Sequence, residues 1–275
     1  MTDDPDRPDD PPVPTDPSDL HDAAVPLGTD RLSAWLFDLD GVLTDSATAH
    51  ALAWKALFDE YLETLDPPQP PFDVHEDYLR YVDGRPRADG IRTFLASRGI
   101  VLPEASPAED PDAPSVQRLG DSKTARFVAA VEAGAVSVYP DALTLLEWLH
   151  ERGARCAVVS SSANAPMVLE HTGLSRFIEF TMDGATAARR GLPGKPAPDT
   201  FVAAAHELDA DPAHAVVFED AVVGVRAGHD GGFAAVVGVD RTGSAGPLHE
   251  GGATVVVQDL RDVIPRSPDP TSGAQ

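Results

Sequence analysis

The 275-residue chain has a single cysteine, Cys156, so no intrachain disulfide can form. That thiol lies in the apolar stretch Arg155-Cys156-Ala157-Val158-Val159, where a small buried core residue fits better than a reactive one. Basic residues are scarce: 21 Lys+Arg face 45 Asp+Glu, a formal net charge of −24. That deficit argues against a generic DNA or RNA binder, which needs clustered cations, and against an anionic membrane surface. It leaves room for a small phosphorylated ligand, because a few placed cations or one metal ion reverse the local sign. No apolar run approaches the roughly 18 residues of a membrane span. The opening Met-Thr-Asp-Asp brings neither a basic n-region nor an apolar h-region, so no secretory signal and a cytoplasmic location are expected. There is no internal repeat. Gly243-Ser244-Ala245-Gly246 lacks the glycine spacing of a dinucleotide site.

What is present suffices for one large domain or two modest ones, with 42% hydrophobic residues. Residues 1–30 hold nine Asp, seven Pro and one Arg, a composition that predicts a disordered acidic tail. Residues 265–275 predict a second, shorter one. Ala34-Trp35-Leu36-Phe37 ends at Asp38 and suits a buried strand. From Ser46 to Leu65, and again at Ile91–Ser97 and Lys123–Ala133, apolar residues recur at helical spacing. Pro-rich loops at 66–72 and 103–114 separate them, and no strand is expected between 46 and 135. After Tyr139-Pro140 the pattern alternates: helices at Asp141–Arg152, Pro166–His171, Asp199–Leu208 and Val222–His229, and strands at Arg155–Ser160, Ala215–Glu219, Ala234–Val239 and Thr254–Val257. This predicts an α/β fold, a doubly wound parallel sheet of Rossmann-like type, with an all-helical insert as a cap. The core would comprise 31–45 and 136–264, and the cap 46–135.

Ligands of such sheets bind at the carboxyl ends of the strands. There the chain delivers Asp38 and Asp40, then Ser160-Ser161-Ser162, then Lys195, then Glu219-Asp220. Carboxylates gathered in one crevice repel unless a cation joins them, and an all-oxygen set favours Mg²⁺. Ser160 and Lys195 supply a donor and a cation for a phosphoryl group. Asp38 could attack phosphorus and Asp40, two residues on, could protonate the leaving oxygen. Other residues read two ways. Trp54 suits the cap core as well as a sugar platform, and His50 suits an exposed or satisfied helix position. Arg87 suits a surface ion pair, and Ser161, Ser162 and Asn164 suit a helix cap.

Asp38-Leu39-Asp40-Gly41-Val42-Leu43-Thr44, Val158-Val159-Ser160, Gly194-Lys195-Pro196-Ala197-Pro198 and Phe218-Glu219-Asp220-Ala221, in this order, resemble the four motifs of the haloacid dehalogenase superfamily. Asp45-Ser46, His50, Trp54-Lys55, Val82-Asp83-Gly84-Arg85-Pro86-Arg87, Lys123 and Ser160–Asn164 resemble its β-phosphoglucomutase group. The resemblance implies phosphoryl transfer through an aspartyl-phosphate on Asp38, with Asp40 as general acid/base. It implies an Mg²⁺ held by Asp38, Asp40, Glu219 and Asp220, and a transferring phosphate held by Ser160 and Lys195. Arg87, Ser162 and Asn164 would hold a second phosphate, with Ser161 beside them. His50 would couple cap closure to Asp40. Trp54, Lys55, Gly84, Arg85 and Lys123 would complete the sugar side. The implied enzyme is a monomeric sugar-phosphate mutase acting on a small phosphorylated sugar. Ala163 stands where mutases of this group carry Lys, so a sugar-phosphate phosphatase is the alternative expectation.

Overall fold

The computed structural model describes residues 32–83, 85–243 and 245–265. The expected tails at 1–30 and 265–275 lie outside these residues, except for Pro265. Strands β1 (Ala34–Phe37) and β2 (Thr44–Asp45) are followed by helices α1 (Ala47–Glu63), α2 (Arg87–Ser97) and α3 (Val116–Glu132). Next come β3 (Ser137–Val138), α4 (Pro140–His150), β4 (Cys156–Val159), α5 (Ala165–His171), β5 (Phe180–Met182) and α6 (Gly184–Arg190). The chain continues through α7 (Asp199–Glu207), β6 (Ala215–Glu219), α8 (Val222–Asp230), β7 (Ala235–Val239), α9 (Ala245–Glu250) and β8 (Val255–Val257).

Six strands form one sheet in the order β5-β4-β1-β6-β7-β8, every neighbour pair parallel. A parallel sheet is covered on both faces, which is why its strands read as short apolar runs. In β1 the alternation is visible: Trp35 and Phe37 join the cluster under α4 and α5, while Ala34 and Leu36 join the one under α6 and α7. From β1 the chain builds outward to β4 and β5 on one side, and to β6, β7 and β8 on the other. The carboxyl end of β1 is therefore the topological switch point, where a crevice opens for a ligand.

Among the described residues no strand lies between 46 and 135, as expected. A third apolar cluster, built on Trp54, Phe58, Phe72 and Phe94, belongs to this helical segment. Ala49 and Ala53 of α1 and Phe127 and Val131 of α3 pack instead with the sheet-side cluster. The two helices thus root the insert on the core. The connections into and out of the insert pair as an antiparallel ribbon, Thr44 opposite Val138 and Asp45 opposite Ser137. Two-residue strands are too short to leave a periodicity.

Helix α3 starts earlier than its apolar pattern suggests, because Ser115 caps it by accepting from the Arg118 N–H at 3.1 Å. The sequence reading also missed β5 and α6. The latter has only seven residues, opened by Asp183 accepting from the Thr186 N–H at 2.6 Å and closed by Gly191 at φ 66°. Among the described residues no helix is long and apolar enough to cross a membrane.

Candidate active site

Asp38 follows β1 directly, its N–H donating to Phe218 O of β6 at 2.9 Å. Ser160 follows β4, and Glu219 ends β6 with Asp220 next. The loop before α7 carries Lys195 across to meet them. The Lys195 ammonium donates to Asp38 Oδ1 at 2.5 Å, to Glu219 Oε1 at 2.6 Å and to the Val159 carbonyl at 3.1 Å. Its three donors are thereby all used. Burial alone would lower its pKa, but Asp38 and Glu219 outweigh that and raise it. Glu219 is spent on both sides, since its Oε2 accepts from the Ala221 N–H at 2.8 Å. Gly224 is required beneath it, because a Cβ there would overlap the Glu219 carboxyl.

The four acids expected to bind a metal, Asp38, Asp40, Glu219 and Asp220, stand in different surroundings: Lys195 bridges Asp38 and Glu219, while Asp40 meets His50. Among the described residues no group of three or more His, Cys, Asp or Glu side chains stands together to hold a metal ion. Asp220 differs from Glu219: it makes no hydrogen bond or salt bridge to a described residue. Its carboxyl lies against Gly41, where a Cβ would overlap it, and Gly41 also takes φ +85°. Burial, then Glu219, then Asp38 push the Asp220 carboxyl well above the ordinary range. Burial also raises Asp38, to about 8, against the opposing Lys195. The buried Asp38 and the half-buried Asp220, two carboxyls left without sufficient positive charge, form a donor set that fits a hard cation.

Asp40 has the opposite surroundings. Burial pushes it up, but His50, Ser46 and Lys123 outweigh burial and hold it at about 2. Ser46 donates to its Oδ1. His50 Nε2 lies 3.5 Å from Asp40 Oδ2, too far for a good hydrogen bond, and Nε2 has no other hydrogen-bond partner among the described residues. On the other edge of the ring, Lys123 Nζ stands 2.6 Å from His50 Nδ1. An ammonium only donates, so it makes Nδ1 the acceptor and turns the ring proton on Nε2 toward Asp40. The imidazole stacks on Phe127 with centroids 3.9 Å apart, and burial first, Lys123 second, lower its pKa against the pull of Asp40.

The remaining expected residues are placed as follows. Trp54 is buried in the insert core, stacked on Phe58 with centroids 5.2 Å apart, and Lys123 lies over its ring. Lys55 pairs with Asp59 at 2.8 Å and donates to the Phe72 carbonyl. Arg85 is exposed, and Gly84 lies outside the described residues. Arg87 donates to Thr124 Oγ1 and faces Asp121 at 3.5 Å, so it rests on α3. Ser160 Oγ accepts from the Ser162 N–H at 3.1 Å, and Ser162 Oγ from the Asn164 N–H at 3.2 Å. Ser161 and Asn164 flank this turn, and Asn164 caps α5 by position without a side-chain bond.

The sequence reading gave no role to three residues here. Ser46, quoted above only within a motif, is the residue before α1. Tyr78 opens a π-helical turn, Tyr78–Val82. Burial and the carboxylates of Asp83, Asp40, Asp220 and Asp38 raise its phenol well above the usual range. Arg241 follows β7. A cavity of about 190 Å³ joins Leu79 and Asp83 of the insert to Asp220, Asp240, Arg241 and Thr242 of the core.

A parallel-sheet core with a helical insert, a buried Lys joining an Asp to a Glu at the switch point, and a second Asp two residues on, define a phosphoryl-transfer enzyme. The model of the haloacid dehalogenase-like hydrolase family matches residues 32–232. The chain is 45% identical over 242 residues to the β-phosphoglucomutase of Mycobacterium bovis, covering 86% of this chain and 92% of that one. It is 30% identical over 233 residues to the β-phosphoglucomutase of Bacillus subtilis, covering 84% and 92%. In fold it is similar to a crystal structure of β-phosphoglucomutase from Clostridium difficile, with a TM-score of 0.68 at 24% identity, covering 84% of this chain and 93% of that one. The chain belongs to the haloacid dehalogenase-like hydrolase family, in its β-phosphoglucomutase-like group.

Proposed function

We propose that the chain is a β-phosphoglucomutase, converting β-D-glucose 1-phosphate to glucose 6-phosphate through the 1,6-bisphosphate. In this reading residues 31–45 and 136–264 are the catalytic core and 46–135 the cap. The observation that carries it is the pair Asp38 and Asp40, two residues apart and held in opposite surroundings. Asp38 meets the Lys195 ammonium, and Asp40 meets the ring of His50 from the insert. Likeness to mutases over the insert as well as the core supports the sugar assignment.

Asp38 carries the phosphoryl group taken from the 1,6-bisphosphate. Asp40, ionised in its surroundings, takes the proton of the C6 hydroxyl as that oxygen attacks the aspartyl-phosphate, and the bond from phosphorus to Asp38 breaks. When the Asp38 carboxylate then attacks the phosphorus at C1, the bond to the C1 oxygen breaks and Asp40 returns the same proton to that oxygen. The Ser160 hydroxyl binds a transferring oxygen, Lys195 turns to another as its bond to Asp38 is released by the attack on phosphorus, and Glu219 keeps Lys195 in place. Arg87, Ser162 and Asn164 hold the far phosphate. Trp54, Lys55, Gly84 and Arg85 bound the sugar, and Ser161 shapes the turn beneath it. His50, braced by Lys123, reports cap closure to Asp40.

Phosphotransferases of this family generally use Mg²⁺. Here Asp38, Asp220 and the main-chain carbonyl of Asp40 would hold it, and when bound it supplies positive charge to the phosphoryl oxygens. A single chain acting in the cytoplasm on a small sugar phosphate completes the reading.

Ala163 favours a second reading, a sugar-phosphate phosphatase, because the turn after Ser160 has no lysine to anchor a second phosphate. β-Glucose 1-phosphate supplied with a trace of the 1,6-bisphosphate separates the two. Glucose 6-phosphate is the expected main product, and free phosphate as the main product would overturn the mutase assignment.

A further inference from the structure

Arg241 lies in the loop after β7. Its Nε donates to the Gly41 carbonyl at 3.2 Å and its Nη2 to the Val42 carbonyl at 3.1 Å. Its Nη1 donates to Asp141 Oδ2 at 2.7 Å and to the Gln258 carbonyl at 3.3 Å. Four of the five guanidinium donors are therefore spent on the protein, so this cation is not free to bind a substrate phosphate. Asp141 is itself buried, and the same oxygen accepts from the Leu260 N–H at 2.8 Å. The guanidinium also stacks on Tyr139, 4.0 Å from its centroid. Tyr139 in turn donates its N–H to the Leu43 carbonyl at 3.0 Å, immediately after the ribbon strand β3.

These bonds join three segments that the reaction needs in register: the loop carrying Asp38 and Asp40, the return connection of the insert, and the edge after β7. Gly41 is the residue against which the Asp220 carboxyl rests, so the orientation of its peptide also sets the place of Asp220. We propose that Arg241 is a positioning residue. It holds the Gly41 and Val42 carbonyls, and through Asp141 and Tyr139 it ties the nucleophile loop to the connection on which the insert turns. The inference rests on the phosphoryl-transfer reading of Asp38 given above.

A lysine cannot reproduce this role, because one ammonium cannot span two successive carbonyls and a carboxylate in the plane a guanidinium offers. Arg241→Lys and Asp141→Asn are compared with the wild type and Asp38→Asn in the full-length chain. The substrate is β-glucose 1-phosphate with a trace of the 1,6-bisphosphate. Turnover, by isomerisation or by phosphate release, is measured per folded molecule, with the folded fraction taken from thermal unfolding. Arg241→Lys should lower kcat roughly 100-fold, the scale of a misplacement of about 1 Å, while KM changes less than about threefold. Asp141→Asn keeps an acceptor for Leu260 and should shift kcat in the same direction by about tenfold.

Turnover per folded molecule within about twofold of wild type in Arg241→Lys would overturn the inference. So would a loss that appears in KM alone. The reading beneath it fails separately: turnover that survives in Asp38→Asn removes the nucleophile, and with it the loop that Arg241 is said to position.

Discussion

Lys123 on α3 places its ammonium 2.6 Å from the His50 ring on α1, 73 residues earlier in the chain. It is buried, with aromatic faces at Trp54 and Phe127, 5.2 and 4.8 Å from their centroids. Burial lowers its pKa to about 7, with Asp40 opposing and Arg87 adding to the effect. The folded chain therefore binds this proton less tightly than the unfolded one. Between about pH 7 and 10.5 the unfolded state holds more protons, so the Lys123 contribution becomes more favourable as pH rises and is most unfavourable below about 7. Lys123→Met removes that dependence. The stability of wild type relative to the variant should rise by on the order of 3 kcal/mol from pH 7 to pH 10, read by urea unfolding. Parallel curves would show that the ammonium is not desolvated.

Lys195 tests the centre of the site. Its side chain and that of Glu219 are almost wholly buried, 4% and 2% exposed. Lys195→Met leaves Asp38 and Glu219 facing each other without the cation between them, and should cost about 3 kcal/mol of stability. Adding Glu219→Gln should recover about 1 kcal/mol or more, because the amide no longer carries a buried charge. A single variant as stable as wild type would mean that water reaches these groups.

Gly41 combines a left-handed backbone with a neighbour that fills its missing side chain. Gly41→Ala must strain the turn and displace Asp220. A stability loss of about 1–2 kcal/mol should follow from the backbone alone. Turnover should fall by roughly 100-fold, because the displaced group lies at the reacting centre. Equal losses in activity and folded fraction would remove Asp220 from that account.

Cys156 is 2% exposed, and burial, with a smaller push from Glu179, raises its thiol from 9.0 to about 12. Near pH 8 the native thiolate fraction is then about 10³-fold below that of an ordinary cysteine. A thiol reagent should label the native protein at the rate of its unfolding, and label it at once in denaturant. Rapid native labelling would contradict the packing of β4.

Much of this architecture was legible in the chain because buried parallel strands are short apolar runs, and β1, β4, β6 and β7 are of that kind. Their carboxyl ends delivered Asp38, Ser160 and Glu219 to one edge without further information. Applying the same rule to β7 would have delivered Arg241, since Val239-Asp240-Arg241 ends that strand. Strand β5 has three residues and no alternation to read. Tyr78 was out of reach for a different reason: it meets the carboxylates only through the fold of the insert, which no spacing within Tyr78–Val82 specifies. The division of labour between Glu219 and Asp220 was equally hidden. Adjacent acids look alike until Lys195 is seen to take one of them.

That division makes the last prediction specific. If Asp220 and Asp38 hold Mg²⁺ while Glu219 holds Lys195, excess chelator should abolish turnover and added Mg²⁺ should restore it. Asp220→Asn should then raise the Mg²⁺ concentration needed for half-maximal activity by at least roughly 10–100-fold, the loss that removing even a partner behind a metal ligand causes, with little loss of folding stability. The variant even relieves a repulsion, because Glu219 and Asp38 both push the Asp220 carboxyl toward its protonated form. Glu219→Gln should behave in the reverse way, with a small change in Mg²⁺ requirement and a clear loss of stability through Lys195. Titrating Mg²⁺ against both variants, alongside their urea unfolding curves, distinguishes the two roles. Identical Mg²⁺ shifts in the two variants would return Glu219 to the metal.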